Sequence, residues 1–412
     1  MAIAILVIIY LTFVSMGLPD SVLGSSFPAI SQNLGISADQ GGYISMVVSL
    51  GTIFSALISS WLLKKIKTPL LVAISVLCTA IALVLFSFVS SAYAWAFYPI
   101  AIILGVGGGG IDAALNNYVA LHYKAIHMNW LHCSWGIGVT ISPLIIGSFI
   151  DSSNNSSGWQ KGVLILSFIQ LALFVIILLS LPLWNKVTVK EKKVEEKEVD
   201  GQRKTIKEFG VLKNPVFYLA MAGFFSYCAI ETTTGLWIAS YFTYGKGLDT
   251  DQAAMLTSVF YLGITIGRFI SGFLSLRLIE KQMIRIGEGI ILLGSILCLL
   301  PFNVYLPIVG FSLVGLGCAP IYPAIIRSTP YRFSRSFSQN AMGLEMAFAY
   351  AGSLSIPPLF GLVAKSIANF TILPYVVLAL LALMVFCHEY ANMLLKKRDQ
   401  RLTEAEKAQY RA

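Results

Sequence analysis

Apolar stretches of twenty or more residues recur along this chain almost without pause, separated by short clusters of polar and charged positions. Each is long enough to cross a hydrocarbon core of roughly 30 Å as a helix, and none shows the two-residue alternation of a membrane β-strand. The pattern predicts twelve transmembrane helices, over 2–28, 41–63, 68–90, 95–121, 128–149, 162–183, 215–244, 253–279, 283–302, 305–328, 340–364 and 370–394. The first begins at residue 2 with no charged leader or small-residue cleavage site, so it is expected as a retained helix and not as a signal peptide.

Composition agrees with this reading. Of the 412 residues, 57% are hydrophobic and 12% charged, against about 25% charged in a soluble chain. That excludes a secreted domain, a cytosolic enzyme and a nucleic-acid binder, and no enzymatic activity is expected. The net charge of +9 acquires its meaning from where the charges fall. One set of connecting loops holds only Lys161, Lys246 and Lys365, and Arg268 lies inside a span; the remaining 25 of the 29 Lys and Arg residues fall on the other side. By the positive-inside rule both termini and the long central loop are expected to be cytoplasmic, in an integral membrane protein. The six cysteines all lie within predicted spans, so neither a disulfide framework nor a metal site is expected. Asn154, Asn155 and Asn369 begin glycosylation sequons on the outer side, which matter only in a source that glycosylates.

The chain changes character at its centre. Residues 186–213 hold nine basic and six acidic residues in 28 positions, the composition of a solvated linker or surface helix. This divides the chain into a six-helix bundle at 1–185, a cytoplasmic charged linker at 186–213, a second six-helix bundle at 214–395 and a cytoplasmic tail at 396–412. The two bundles resemble one another. Ser49-Leu50-Gly51 and Ser59-Ser60-Trp61-Leu62 match Tyr261-Leu262-Gly263 and Ser271-Gly272-Phe273-Leu274 at a constant offset of 212. Gly105-Val106-Gly107 matches Gly315-Leu316-Gly317, and Gly138, Pro143 and Gly147 match Gly352, Pro357 and Gly361. An all-α polytopic membrane protein with two six-helix pseudo-repeats is the plan of a major facilitator transporter, in which the halves rock around a midplane site.

Chemistry is to be sought among polar residues at membrane depth, where a charge is costly unless paired, hydrated or protonated. Asp20, Asp112, Glu231, Arg268 and Glu345 are the deep ones; Glu288 and Glu389 lie nearer the cytoplasmic helix ends, where water is in reach. Each deep charge has a bland alternative, a packing salt bridge, and that alternative is strongest for Arg268, with Glu231 or Glu345 as its acid and a structural Arg268–Glu345 pair as one expectation. Asp112 and Asn116, four apart, share one face of the fourth helix. Asn129, His132, Gly136, Pro143 and Gly147 share one face of the fifth, and Tyr227, Glu231, Thr234 and Tyr241 one face of the seventh, with Trp237 one step round. Rings beside carboxylates and amides suit a sugar, whose C–H face stacks while its hydroxyls need donors and acceptors. No Walker-type loop is present, so ATP-driven pumping is not expected and no cofactor is implied.

Particular residues carry a resemblance to the fucose–proton symporter-like branch of sugar permeases within the major facilitator superfamily. They are Pro19-Asp20-Ser21-Val22-Leu23-Gly24 with Pro28, Gly105-x-Gly107 with Asp112-Ala113-Ala114-Leu115-Asn116, Asn129-Trp130-Leu131-His132 with Gly136 and Gly138, and Tyr227-x-x-x-Glu231-x5-Trp237. Three departures stand out: Lys64 where the superfamily's second loop has Asp, Asp112 in place of Glu, and Asn117 where the fucose carriers have Pro. The resemblance implies monomeric uptake of a sugar or polyol with protons, Asp20 and Asp112 taking part in coupling, and Asn116, Asn129, His132, Tyr227, Glu231 and Trp237 in substrate binding. The same branch includes sodium-coupled glucose carriers. A drug or lipid exporter is the reading from a different class; it calls for a larger apolar cavity, and the amide and histidine stripe argues against it.

Overall fold

The structure is a computed structural model that describes residues 2–123, 125–186, 214–301, 303–333 and 335–401. Among these residues twelve helices are long and apolar enough to cross a membrane: α1 (Ile3–Leu34), α2 (Gln40–Ser59), α3 (Thr68–Ser87), α4 (Ser91–Val119), α5 (Trp130–Gly147), α6 (Trp159–Trp184), α7 (Pro215–Gly245), α8 (Thr250–Leu274), α9 (Glu280–Leu299), α10 (Tyr305–Phe333), α11 (Ala341–Ser366) and α12 (Phe370–Gln400). The chain is an all-helical polytopic membrane protein built from two six-helix pseudo-repeats. The outward faces carry large apolar residues such as Phe54, Leu179 and Phe273, as a lipid-facing surface requires. The helix closing the chain runs on to Arg401, past the expected boundary at 395. Beyond Lys186 the expected linker lies outside the described residues.

Two helices are interrupted, and the sequence shows why. Pro19 has no N–H to give to the preceding turn, and α1 breaks at Ser21 into Ala2–Asp20 and Val22–Leu34, extending six residues beyond the expected end at Pro28. In the same way Pro320 divides α10 into Tyr305–Cys318 and Ile321–Phe333. The break in α1 leaves Asp20 at the end of a helical stretch, at mid-depth.

The repeat seen in the sequence is a repeat of close helix contacts. A Cβ on Gly105 of α4 would stand 2.0 Å from the Val48 carbonyl oxygen of α2, and one on Gly315 of α10 equally 2.0 Å from the Phe260 carbonyl oxygen of α8. Only a bare backbone permits such an approach. Gly138 against Val14 (α5 on α1) and Gly352 against Phe225 (α11 on α7) repeat the pattern at a second seam, with Cβ positions 2.0 Å and 2.3 Å from those carbonyl oxygens.

The halves meet chiefly where α5 packs on α8, α2 on α11, and α1 on both α7 and α8. Much of the bonding between them lies at the face opposite the one on which Ala2 and Arg401 lie. There Lys365 meets Asp39 at 3.0 Å, Ser152 donates to Asp251 at 2.6 Å, and the Thr250 hydroxyl donates to Ser156 at 2.9 Å. The α5–α6 connection that supplies Ser152 and Ser156 is itself shaped by positive φ angles at Asn155, Ser156 and Gly158, and its Asn155 donates to the carbonyl of Asn33 at 3.4 Å.

One polar expectation changes here, that for Glu288, and the one for Glu389 holds. Glu288 does not reach water: it is buried and bonded to His388 Nδ1 at 2.7 Å. Glu389 is open and held by Arg285 through two bonds of 2.7 and 2.6 Å.

Candidate functional site

Four helices bring their polar groups together at mid-depth where the halves meet. From α1, at its break, Asp20 is open to solvent despite its depth, and the indole N–H of Trp135 on α5 donates to its Oδ2 at 2.7 Å. The guanidinium of Arg268 on α8 lies over the face of the same indole, 4.5 Å from the ring centroid. Arg268 also reaches Glu231 of α7 at 3.6 Å, and donates a long bond of 3.4 Å to the His132 carbonyl. The buried Tyr227 hydroxyl donates to the other oxygen of Glu231. One line of contacts thus runs Asp20, Trp135, Arg268, Glu231, Tyr227, crossing from the first half to the second between Trp135 and Arg268.

α4 adds a third carboxylate. The Asn116 amide donates to Asp112 Oδ1 at 2.7 Å, a contact the i, i+4 spacing dictates. The amide oxygen of Asn116 is buried and has no protein partner, so an acceptor is left for a donor from outside the chain. Asp112 lies within electrostatic reach of Asp20, of Arg268, and of Tyr322 and Tyr350 in the second half. His132 sets its ring edge against Phe13, centroids 5.8 Å apart. Two turns further along α5 the hydroxyls of Thr140 and Thr265 meet across the halves at 3.3 Å.

The expected site residues Asp20, Asp112, Asn116, His132, Tyr227 and Glu231 therefore collect around one interface. Others do not. Trp237 is 1% exposed, gives its N–H to the Pro357 carbonyl at 2.9 Å and packs on Phe360 and Phe370. One step round α7 from Glu231 is the side that faces α11, so Trp237 is a packing residue of the second half and not a cavity residue. The expected Arg268–Glu345 pair is also corrected. Arg268 takes Glu231, whereas Glu345 is wholly buried, accepts from Thr329 at 2.5 Å and has Arg332 at 3.9 Å. The side chain of Asn129 lies outside the described residues. Trp135, which joins the two halves of the site, was not singled out in the sequence, although it sits three residues after His132 on the same face of α5.

Comparison with known proteins identifies the family. The Major Facilitator Superfamily model matches residues 9–304 and 239–409. The chain belongs to the major facilitator superfamily. Among relatives, the Glucose/mannose transporter GlcP of Bacillus subtilis is 25% identical over 325 residues, covering 76% of this chain and 77% of its own. The Sodium-dependent glucose transporter 1 of Xenopus laevis is 23% identical over 381 residues, 87% of this chain and 76% of its own. In three dimensions the D-xylose-proton symporter superposes with a TM-score of 0.73 at 14% identity, over 94% of this chain and 97% of that one. The E. coli Fucose:proton symporter does so with a TM-score of 0.60 at 15% identity, over 94% and 98%. At these identities the structural likeness speaks for the fold.

Proposed function

We propose that this major facilitator protein is a secondary active transporter that takes up a monosaccharide-like solute together with protons by alternating access. The observation that carries the reading is the pair of carboxylates, Asp20 and Asp112, placed at mid-depth where the two halves meet. Around them stand the amide of Asn116 with its unpartnered oxygen, the His132 ring and the Tyr227–Glu231 pair. Such a set offers a polyhydroxylated solute both hydroxyl partners and ring surface. The names of the glucose, mannose and xylose carriers to which the chain is similar support the solute class.

In this reading Asp20 is the coupling acid and Asp112 has a mixed role, since Asn116 one turn away gives it a neighbour for holding hydroxyls. Asn116, His132 and Glu231 face the solute, with the Tyr227 hydroxyl and Arg268 holding Glu231 in place. The distribution of Lys and Arg supports cytoplasmic termini. A carboxylate that closure would take out of water resists that step while it is charged, so the empty carrier reorients poorly until it is protonated and loaded.

The similarity to a sodium-dependent glucose transporter favours a second reading for the ion alone, with sodium in place of the proton. Purified protein tested by thermal shift against D-glucose, D-mannose, D-xylose and L-fucose, with lipophilic cations as the contrasting panel, reads the solute class by mass action. Uptake of the stabilising sugar into proteoliposomes under an imposed pH gradient, compared with an imposed sodium gradient, reads the ion. Stabilisation by the cations and by no sugar would sink the proposal.

A further inference from the structure

Trp135 stands at the only point among the described mid-depth contacts where the carboxylate of one half and the guanidinium of the other touch a single side chain. Its N–H holds Asp20 at 2.7 Å. Its ring face holds Arg268 at 4.5 Å. Its edge also meets the Tyr261 ring of α8, centroids 6.4 Å apart. Arg268, for its part, is lightly held elsewhere. Of five N–H donors, one makes a 3.4 Å bond to the His132 carbonyl, and the ion pair with Glu231 is 3.6 Å long. Such a guanidinium depends on the ring for its position and is free to shift toward Glu231 when the ring holds it less strongly.

The strength of that hold depends on Asp20. A carboxylate accepting from the indole N–H pushes electron density into the ring, and bonded polar groups polarise one another in this way in a low dielectric. A more negative ring face attracts a cation more strongly. A proton on Asp20 removes the charge, weakens the N–H bond and leaves the ring a poorer partner for Arg268, which then moves toward Glu231 within its own half.

We propose that Trp135 is a positioning residue that makes the charge on Asp20 felt by the Arg268–Glu231 pair, so that the empty, unprotonated carrier is latched across its two halves at mid-depth and protonation releases the latch. The inference rests on the proton-coupled reading above and deepens it. The charged and titratable groups around Asp20 are Asp112 from α4, Tyr261 and Arg268 from α8 and, beyond Arg268, Glu231 from α7. Among the described residues Asp112 is the other acid in electrostatic reach of Asp20, and it has its own partner in Asn116.

The test has two arms, one of which needs no solute. Trp135 emission is isolated by subtracting the spectrum of Trp135→Phe from that of the full protein, and is followed against pH in empty carrier. It titrates in the wild type, is fixed at its acid value in Asp20→Asn, and loses most of its amplitude in Arg268→Gln while Arg268→Lys retains part of it. In the second arm, D-glucose accumulation under a pH gradient is compared with exchange at uniform pH. Trp135→Phe, which keeps a ring but has no N–H, keeps exchange and loses about fivefold or more of its accumulation, the lower range of typical coupling factors, and its pH profile flattens. A titration that survives unchanged in Arg268→Gln, or Trp135→Phe with wild-type accumulation and pH profile, overturns the proposal. If the wild type moves no D-glucose, the solute reading fails, while the emission arm still decides for or against the latch.

Discussion

Arg268 pairs with Glu231 on a neighbouring helix of its own half, at 3.6 Å, while its guanidinium carbon lies over the ring of Trp135 of the other half, 4.5 Å from the centroid. The side chains of Arg268 and Glu231 are 15% and 18% exposed, so solvent screens the pair more than it would a dry one. Removing one partner of a dry pair costs about 3–5 kcal/mol; Arg268→Ala is therefore expected to cost about 1–3 kcal/mol, less for the screening. The thermal melt of purified protein measures it. Combining Arg268→Ala with Glu231→Gln should recover part of the loss, because the second change removes the acid left without its cation. An unchanged melting temperature for Arg268→Ala means that the pair contributes nothing to stability.

Lys365 and Asp39 join the halves at the face opposite Ala2 and Arg401, at 3.0 Å. Burial pushes the Asp39 carboxyl up, but the Ser37 hydroxyl, the Lys365 ammonium and a backbone bond outweigh burial and hold it below the usual carboxylate range. A lowered pKa means that the contribution is present above the ordinary value of about 3.9 and is lost as the pH falls through the lowered one. Lys365 is half exposed, so the pair is worth at most about 1 kcal/mol. Asp39→Asn and Lys365→Gln are each expected to shift the carrier by up to about fivefold toward the state open at this face. Spin-label distances between the α1–α2 connection and the end of α11 read the shift, and identical distributions in wild type and both variants would show that the pair does not hold the face shut.

Trp237 gives a prediction of the opposite kind. Its ring packs against both Phe360 and Phe370, and Gly361 approaches it so closely that a Cβ there would stand 2.4 Å from the indole. Trp237→Ala opens a hole in the second half and leaves the Pro357 carbonyl without its donor, a loss of about 3–5 kcal/mol. Expression and melting temperature fall, while whatever protein survives keeps its relative preference among sugars in the thermal-shift panel. A changed preference with unchanged stability would return Trp237 to the binding site.

The contrast between Trp237 and Trp135 shows which parts of the molecule can be read along the chain. Span lengths and the side on which Lys and Arg gather depend on one-dimensional physics, the thickness of the bilayer and the cost of burying charge. The twelve helices and the glycine pairs at 51, 105, 263 and 315 were therefore legible. Partners across the halves were not. Helical spacing puts Tyr227 with Glu231 and Asp112 with Asn116 because those contacts are local. Nothing in the spacing says that Trp135 will lie under Arg268, 133 positions later, or that one step round α7 turns Trp237 toward α11. Glu345 failed for the same reason. Its charge suggested a partner in Arg268, but the turn of α10 after Pro320 brings Arg332 and Thr329 to it instead.

The two deep aspartates are expected to answer differently when each is made permanently neutral. Asp20 is solvent-open and bonded to Trp135; Asp112 is half-buried and bonded to Asn116, whose amide oxygen awaits a donor. Asp20→Asn mimics the protonated acid at the break of α1. If Asp20 is the coupling site, this variant keeps sugar binding and exchange at uniform pH and loses accumulation against a gradient, because the carrier no longer needs a proton to close. Asp112→Asn disturbs the carboxylate–amide pair that offers acceptors to solute hydroxyls, so binding weakens and exchange and accumulation fall together. Losing a hydrogen bond to a charged group costs about 1.5–3 kcal/mol, which corresponds to roughly a tenfold to hundredfold weaker Kd. Proteoliposome exchange, gradient-driven accumulation and thermal-shift affinity, measured on the same preparations, separate the two roles. Full accumulation in both variants would remove these acids from proton coupling and leave Glu231, a sodium ion or uncoupled diffusion to account for transport.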